Sequence, residues 1–153
     1  MAVRAASKIE QVLLDSHLAL IKNSVGSRMF RTLIARVNGK RQDILRKGDL
    51  SCAFFASSVL AIPRLIRSAH LTVDGTLKDM RQHGWLRIRR VRPGAVLVWE
   101  KQNGHKHIGF YVGNRRAVST SSTKRIVHRH HWTFGGKRKI IGMYWHNKFS
   151  KGR

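Results

Sequence analysis

The sequence predicts one α+β domain over residues 1–153, with N-terminal helices packed on an antiparallel β-sheet of about five strands. Helical patterns precede Pro93, and short strand patterns separated by turn signals follow it. Hydrophobic residues form 42% of the chain, which is typical of a globular domain that buries one core.

The N-terminal region, residues 1–26, predicts one amphipathic helix. Its apolar residues are interleaved with charged ones, and the helix is expected over about residues 5–22, ending at Asn23. This interleaving differs from a signal peptide, and no run reaches the roughly 18 apolar residues that a membrane span needs. The sequence therefore predicts no membrane span. It leaves the compartment unknown, either cytoplasmic or reached by a non-standard export route.

An Asn38-Gly39 dipeptide separates two segments with alternating apolar residues. That combination predicts two strands joined by a type I′ turn, and Gly48-Asp49 is expected to end the unit. The next segment, residues 51–62, is rich in alanine, serine and large apolar residues and stops at Pro63. It predicts a buried helix.

A further helix is predicted to open at Thr76, with Asp79 completing a capping box and Gly84 as the C-terminal stop. Beyond Pro93 the pattern is β, and turn signals such as Asn103-Gly104 separate the strands. The five predicted strands cover residues 95–100, 107–113, 116–120, 125–131 and 139–145.

The chain is strongly basic. It has 31 Lys and Arg against 7 Asp and Glu, a formal charge of +24 and a sequence pI near 11.9. Such a surface attracts anionic partners, including nucleic acid, anionic lipid and acidic polymers. The basic runs at 87–90 and 137–139 are expected in loops at the sheet ends, and residues 147–153 are expected to form a loose basic tail.

Cys52 is the single cysteine, so an intrachain disulfide is excluded. It lies at the predicted start of the helix over residues 51–62, where free N–H groups and the helix dipole stabilise a thiolate. The thiolate is the form that attacks carbonyls. A small, buried core cysteine is the alternative interpretation.

His107 begins the predicted strand 107–113, with Ile108 and Phe110 on the opposite face. A cysteine nucleophile needs an imidazole within hydrogen-bond reach to accept its proton. A helix N-terminus packed on an antiparallel sheet presents such a pair, which predicts a sulfur–nitrogen distance within about 4 Å. A solvated histidine at a strand start is the alternative interpretation.

Four segments together resemble the NlpC-type family of cell-wall peptidases, and they match it in order and spacing over about residues 45–145. The resemblance implies a papain-like NlpC-type α+β fold and a cysteine peptidase or amidase that needs no cofactor or metal. Its substrates would be peptide or amide bonds, typically in peptidoglycan peptides. The segments are Cys52 at the head of a Ser-rich helix, Gly84-Trp85, the strand Pro93-Gly94-Ala95-Val96-Leu97-Val98-Trp99, and the strand His107-Ile108-Gly109-Phe110-Tyr111-Val112-Gly113.

The resemblance also implies roles for individual residues. Cys52 would be the nucleophile, His107 the general base, and a polar residue on the following strand the third catalytic member. That third position falls on Ser119, whose hydroxyl orients an imidazole less strongly than a histidine does. His131 ranks second for this role, and His128 and His130 are further candidates.

The sequence departs from the family's pattern near the cysteine. Ser51-Cys52-Ala53-Phe54 stands where the family has Asp-Cys-Ser-Gly, Ala95 replaces an aspartate, and no tyrosine precedes Tyr111. These departures favour a second hypothesis, a catalytically weak or inactive NlpC-like module. It would bind a polyanion such as nucleic acid or an anionic wall polymer.

Histidines and aromatic residues allow two further interpretations. The His-x-His pairs at 105–107 and 128–130 suggest a zinc site with Cys52, although their spacing fits no strong zinc signature. Solvated histidines at positions 105, 128 and 130 are the simpler interpretation. The aromatic residues of the strands are interpreted as core and not as a base-stacking surface.

Overall fold

The computed structural model describes residues 2–3, 5–48 and 50–151, and part of the predicted Gly48-Asp49 ending lies outside these residues. Its three helices are α1 (Leu13–Asn23), α2 (Cys52–Ala61) and α3 (Val73–Gln82). None of the described helices is long and apolar enough to cross a membrane. The strands are β1 (Ile34–Val37), β2 (Lys40–Asp43), β3 (Trp85–Arg87), β4 (Val96–Gln102), β5 (His105–Gly113), β6 (Arg116–Thr120), β7 (Val127–His131) and β8 (Ile140–His146).

The α+β fold is confirmed, and the described strands form two antiparallel sheets. Strands β1 and β2 make a separate hairpin, whose turn residues Asn38 and Gly39 have φ angles of 51° and 79°, as a type I′ turn requires. The main sheet has six strands in the order β3-β8-β4-β5-β6-β7. The addition to the predicted five is β3, whose three residues pair with β8.

Helix α2 packs across β5 and β6 and forms the centre of the core. Phe55 lies edge-on to Phe110, with ring centroids 5.8 Å apart. Six of the ten helix residues are buried, so the helix is fixed to the sheet along much of its circumference. This packing brings the first residue of α2 to the start of β5.

Helix α1 begins at Leu13, so the prediction of a helix from about residue 5 is wrong for residues 5–12. That segment buries nothing, and Ile9 is 90% exposed. A helical turn without a buried apolar face is not stable in water. His17, on this helix, is fully buried and donates a hydrogen bond from Nε2 to the carbonyl of Gly94 at 2.9 Å.

Helix α3 begins earlier in the chain than predicted, because its N-cap is Thr72 and not Thr76. The Thr72 hydroxyl accepts from the amide of Gly75 at 3.0 Å. Asp79 does not complete a capping box, since its carboxylate accepts from the backbone amides of Arg67 and Ser68. The helix ends at Gln82 with His83 as its C-cap, and Gly84 follows with a φ of 87°, so the predicted glycine stop is confirmed.

The C-terminal segment is not a loose tail over residues 147–150. These residues form a short 3-10 helix, and Phe149 is buried. Its ring stacks on His17 and packs edge-on to Trp145, with centroids 5.1 and 5.0 Å apart. The apolar side chain of Phe149 thus packs the segment against α1 and β8. The basic composition of the segment did not predict this packing.

Burial of His17 makes the fold sensitive to acid. Burial lowers the pKa of His17 to about 4, so between this value and the ordinary 6.5 the unfolded chain binds a proton that the folded chain does not. Stability is therefore full above pH 6.5 and falls as the pH drops toward 4. We expect His17→Gln, which keeps an N–H donor for Gly94, to remove ~2.5 kcal/mol of the stability loss between pH 7 and 4.5.

The measurement is urea unfolding of both proteins at the two pH values. His105→Gln is the matched control, because His105 is exposed and its replacement should leave the pH dependence unchanged. Parallel pH dependences for the wild type and His17→Gln would contradict the assignment.

Candidate active site

Cys52 is the first residue of α2, at the helix N-terminus where the sequence predicted it. The residue is partly exposed. Its Sγ lies 4.0 Å from the carbonyl oxygen of Lys106, and the backbone N–H groups of Ile108 and Ala53 also act on the thiol. The sulfur therefore lies beside the backbone on both sides of His107.

His107 lies on the β5 face opposite Ile108 and Phe110, whose side chains are buried toward α2. Its imidazole is half-buried between two aromatic rings. The centroids of Trp99 and Phe134 lie 5.3 and 5.8 Å from that of His107. These contacts restrict the ring's rotation without closing the site, because both His107 and Cys52 remain partly exposed.

A continuous hydrogen-bond chain runs behind His107. Its Nε2 lies 2.9 Å from the Ser119 hydroxyl oxygen, which lies 2.7 Å from Nε2 of His130. Nδ1 of His130 lies 2.7 Å from the carbonyl oxygen of His131. The structure thus brings together three of the residues singled out in the sequence, His107, Ser119 and His130.

The end of this chain fixes the proton positions. A carbonyl oxygen only accepts, so Nδ1 of His130 carries the proton and its Nε2 is an acceptor. The Ser119 hydroxyl then donates to His130 and accepts from the Nε2–H of His107. Nδ1 of His107 consequently carries no proton in the neutral ring, which is the state that a general base requires.

Gly109 allows β6 to come this close. A Cβ atom at position 109 would lie 2.5 Å from the carbonyl oxygen of Val118 and 2.7 Å from Cβ of Ser119, well inside contact distance. Any side chain here would push β6 away from β5. The glycine of the His-Ile-Gly segment therefore permits the hydrogen bond between Ser119 and His107.

Burial favours the neutral form of both side chains. It lowers the pKa of His107 to about 3, with help from the positive charge of Arg138 and from electrostatic coupling to His130 and His128. Burial also raises the pKa of the Cys52 thiol, and the nearby N–H groups and Arg138 oppose this only in part. The expected helix-stabilised thiolate is therefore wrong for the resting protein, because loss of solvent outweighs the helix N-terminus.

Arg138 is the cation that acts on both groups. Its Nε and one terminal nitrogen donate to the carbonyls of Glu100 and His105 at 2.9 and 2.8 Å. These bonds hold the guanidinium beside the ends of β4 and β5. It favours the thiolate of Cys52 and disfavours the imidazolium of His107.

The remaining candidate histidines lie elsewhere. Nδ1 of His131 accepts from the amides of Thr133 and Gly135, so this ring faces the turn after β7 and not His107. The rings of His128 and His130 lie 4.6 Å apart. Among the described residues no group of three or more metal-ligating side chains comes together, so the zinc interpretation has no ligand set there.

The interpretation of His130 as a solvated histidine is wrong. Besides bonding Ser119, its ring stacks on Phe134 with centroids 4.1 Å apart and planes inclined by 15°. In the register of β6 and β7, Ser119 pairs with His128, while His130 reaches Ser119 diagonally. The i, i+2 spacing of residues 128 and 130 predicts that both side chains lie on one face of the strand. It does not predict the diagonal hydrogen bond between His130 and Ser119.

Two grooves of about 630 and 460 Å³ lie along α1, away from the candidate site. Neither is lined by Cys52 or His107, whose side chains are partly exposed.

No protein-family model matches the chain, and no curated protein sequence matches it. Solved structures do match, and two are NlpC2 and NlpC1 from Trichomonas vaginalis, with TM-scores of 0.53 and 0.52. The chain has an NlpC-type fold. Identity is 16% and 18%, and the matches cover 91% and 86% of this chain. The chain spans about half the length of these neighbours, 50% and 45%.

Alkylation of Cys52 by iodoacetamide tests the electrostatics of the candidate site. We expect a midpoint above the roughly 8.5 of a free thiol, since burial raises the pKa. Arg138→Gln should raise the midpoint further, because Arg138 favours the thiolate. Arg89→Gln, which removes a charge from the loop after β3, is the control and should leave the midpoint unchanged. A midpoint below that of a free thiol would contradict the neutral resting pair.

Proposed function

We propose that the protein is a cysteine hydrolase that cleaves peptide or amide bonds, with Cys52 as nucleophile and His107 as general base. The observation that supports this most is the hydrogen-bond chain through Ser119 to His130. It directs an unprotonated Nδ1 of His107 away from Ser119, while the Cys52 thiol lies beside the backbone that carries the ring. The NlpC-type fold supports the same reaction class.

The neutral resting pair implies proton transfer during attack. As Sγ of Cys52 bonds to the substrate carbonyl carbon, its proton passes to Nδ1 of His107. The backbone N–H groups at the start of α2 stabilise the negative oxygen of the tetrahedral intermediate. Collapse breaks the C–N bond, and His107 returns the proton to the leaving amine. Water, activated by the same histidine, then hydrolyses the thioester.

Ser119 and His130 act in this proposal as positioning residues. The Ser119 hydroxyl holds Nε2–H of His107 in both the neutral and the protonated ring, so the imidazole keeps one orientation through the cycle. His130 in turn fixes the direction of the Ser119 hydroxyl. A serine alone can rotate to donate to other acceptors, and His130 removes that freedom.

A peptide of the bacterial cell wall is the substrate we propose. Such peptides carry free carboxylates, and the guanidinium of Arg138 lies beside the reacting groups with donors left over from its two backbone bonds. No cofactor takes part in the reaction as proposed.

The second candidate function is an inactive NlpC-like module that binds a polyanion. The raised pKa of Cys52 and the lowered pKa of His107 favour it, because together they disfavour the thiolate–imidazolium pair. The excess of Lys and Arg over Asp and Glu also favours a module that binds polyanions. Turnover by the wild type distinguishes the two functions.

The hydrolase proposal is tested by release of peptide fragments from solubilised peptidoglycan, followed by mass spectrometry. Cys52→Ala should abolish turnover, and His107→Ala should lower kcat by about 10²–10⁴-fold. Ser119→Ala and His130→Phe should lower kcat by roughly tenfold or more with little change in KM. Both substitutions weaken the orientation of the His107 imidazole and leave the binding of the substrate unchanged. Ser121→Ala, one residue beyond β6, is the matched control and should retain wild-type turnover.

The pH profile adds a readout that a purely structural role would not move. Since the pKa of His107 is about 3, kcat/KM should stay flat from pH 7 down to about 5. A fall centred near pH 6.5 would contradict a buried, neutral base. Undiminished turnover by Cys52→Ala would reject the hydrolase altogether.

A further inference from the structure

We propose that the β1–β2 hairpin is a binding arm for double-stranded nucleic acid. This inference is independent of the proposed hydrolysis, because the hairpin includes neither Cys52 nor any residue of the hydrogen-bond chain behind His107. It rests on the hairpin's isolation from the main sheet, its charge, and the strand register that pairs two arginines.

The hairpin stands apart from the six-stranded sheet as a sheet of its own. Both of its faces meet solvent, and even its apolar residues Ile34 and Val37 are 46% and 41% exposed. A bare two-stranded hairpin is marginally stable in water. A projecting ribbon that keeps both faces uncovered is therefore costly unless a partner uses them.

The base of the hairpin is nevertheless held firmly. The carboxylate of Asp43 accepts hydrogen bonds from the backbone amides of Leu33, Leu45 and Lys47 at 3.1, 3.0 and 2.7 Å. Phe30 before the hairpin and Leu45 after it are buried in the domain. The arm thus projects in a defined direction, as a binding element requires.

The charged residues of the arm and of the segments on either side of it are almost all cationic. Residues 28–47 contain a single carboxylate, that of Asp43, and it is occupied by the three amides. None of the ion pairs found among the described residues includes a cation of this stretch. The seven cations are Arg28, Arg31, Arg36, Lys40, Arg41, Arg46 and Lys47.

The register places like charges opposite each other. Arg36 pairs with Arg41 across the two strands, and Lys40 follows in the next pair with Val37. Like charges directly opposite on neighbouring strands destabilise a hairpin. A polyanion bound along the arm would convert this repulsion into attraction, since guanidinium groups bind phosphate oxygens in bidentate fashion.

A nucleic acid duplex fits this surface better than a flexible polymer does. The major groove admits a two-stranded β-ribbon, and phosphates line both of its edges. The positive surface also continues at the base of the arm. A Cβ atom on Gly48 would lie 3.2 Å from Cβ of Arg125 and 3.3 Å from Cγ of Arg31, so these arginines meet there.

The test is fluorescence anisotropy of a fluorescein-labelled 20-base-pair DNA duplex with the full chain, over 50 to 200 mM NaCl. The arm variant carries Arg36→Gln, Lys40→Gln and Arg41→Gln. We expect at least tenfold weaker binding at 100 mM, and a slope of log affinity against log salt that is shallower by about 2 to 3. The matched control, Lys22→Gln with Arg89→Gln and Arg90→Gln, removes the same three charges outside the arm and should lose less than threefold.

Equal losses in the two triple variants would overturn the proposal, because the affinity would then follow net charge alone. Linear polyphosphate bound as tightly as the duplex, with the same dependence on the arm, would also overturn it in favour of flexible anionic polymers. Loss of fold is checked with Arg41→Glu. This variant should melt at a higher temperature than the wild type, since it creates an ion pair with Arg36, and yet bind the duplex more weakly.

Discussion

The packing of α2 against β5 is the interaction on which the candidate site depends. Phe55 and its buried neighbours fix the helix to the sheet, and this sets where its N-terminus ends. The thiol of Cys52 then falls beside the carbonyl of Lys106, immediately before His107. Fifty-four residues separate Cys52 from Lys106 in the chain, so only this tertiary contact unites the two halves of the site.

The site is electrostatically unusual because cations surround it. In many cysteine hydrolases a stabilised thiolate–imidazolium pair is the resting state. Here burial opposes a charge on both His107 and Cys52, and the positive charge of Arg138 further opposes one on His107. The chain through Ser119 contains only neutral groups, so its contribution is the choice of tautomer and not the stabilisation of an ion pair. In the proposed reaction, the free-energy cost of forming the charged pair therefore arises during proton transfer from Cys52 to His107.

Features with local causes were predictable from the sequence. The hairpin around Asn38-Gly39 and the helix beginning at Cys52 follow from short-range turn and cap signals. Strand β6 was predicted over residues 116–120 and has those bounds. The resemblance to the NlpC-type family implied Ser119 as the partner of His107, and the two side chains are hydrogen-bonded in the structure.

Features with non-local causes were not predictable. Strand β3 exists through its pairing with β8, about 60 residues later. Asp79, the expected capping partner of Thr76, instead binds the backbone amide of Arg67 in the segment that precedes α3, a contact that the capping pattern did not indicate. The raised pKa of Cys52 has the same origin. A helix N-terminus is visible in the sequence, whereas the depth at which the thiol is buried depends on the whole domain.

Asp43 connects the basic arm to the site. Its carboxylate fixes the base of the hairpin and the first residues after it, and that same stretch leads to Ser51, whose hydroxyl donates to the carbonyl of Gly48. Hydrogen bonds therefore hold both the base of the arm and the residue before Cys52. Under the two proposals, a polyanion bound by the arm would keep the candidate site close to any peptide attached to that polymer, which would raise the effective concentration of substrate. The cations of the arm would then bind the polyanion, while Cys52 and His107 would act on a separate molecule.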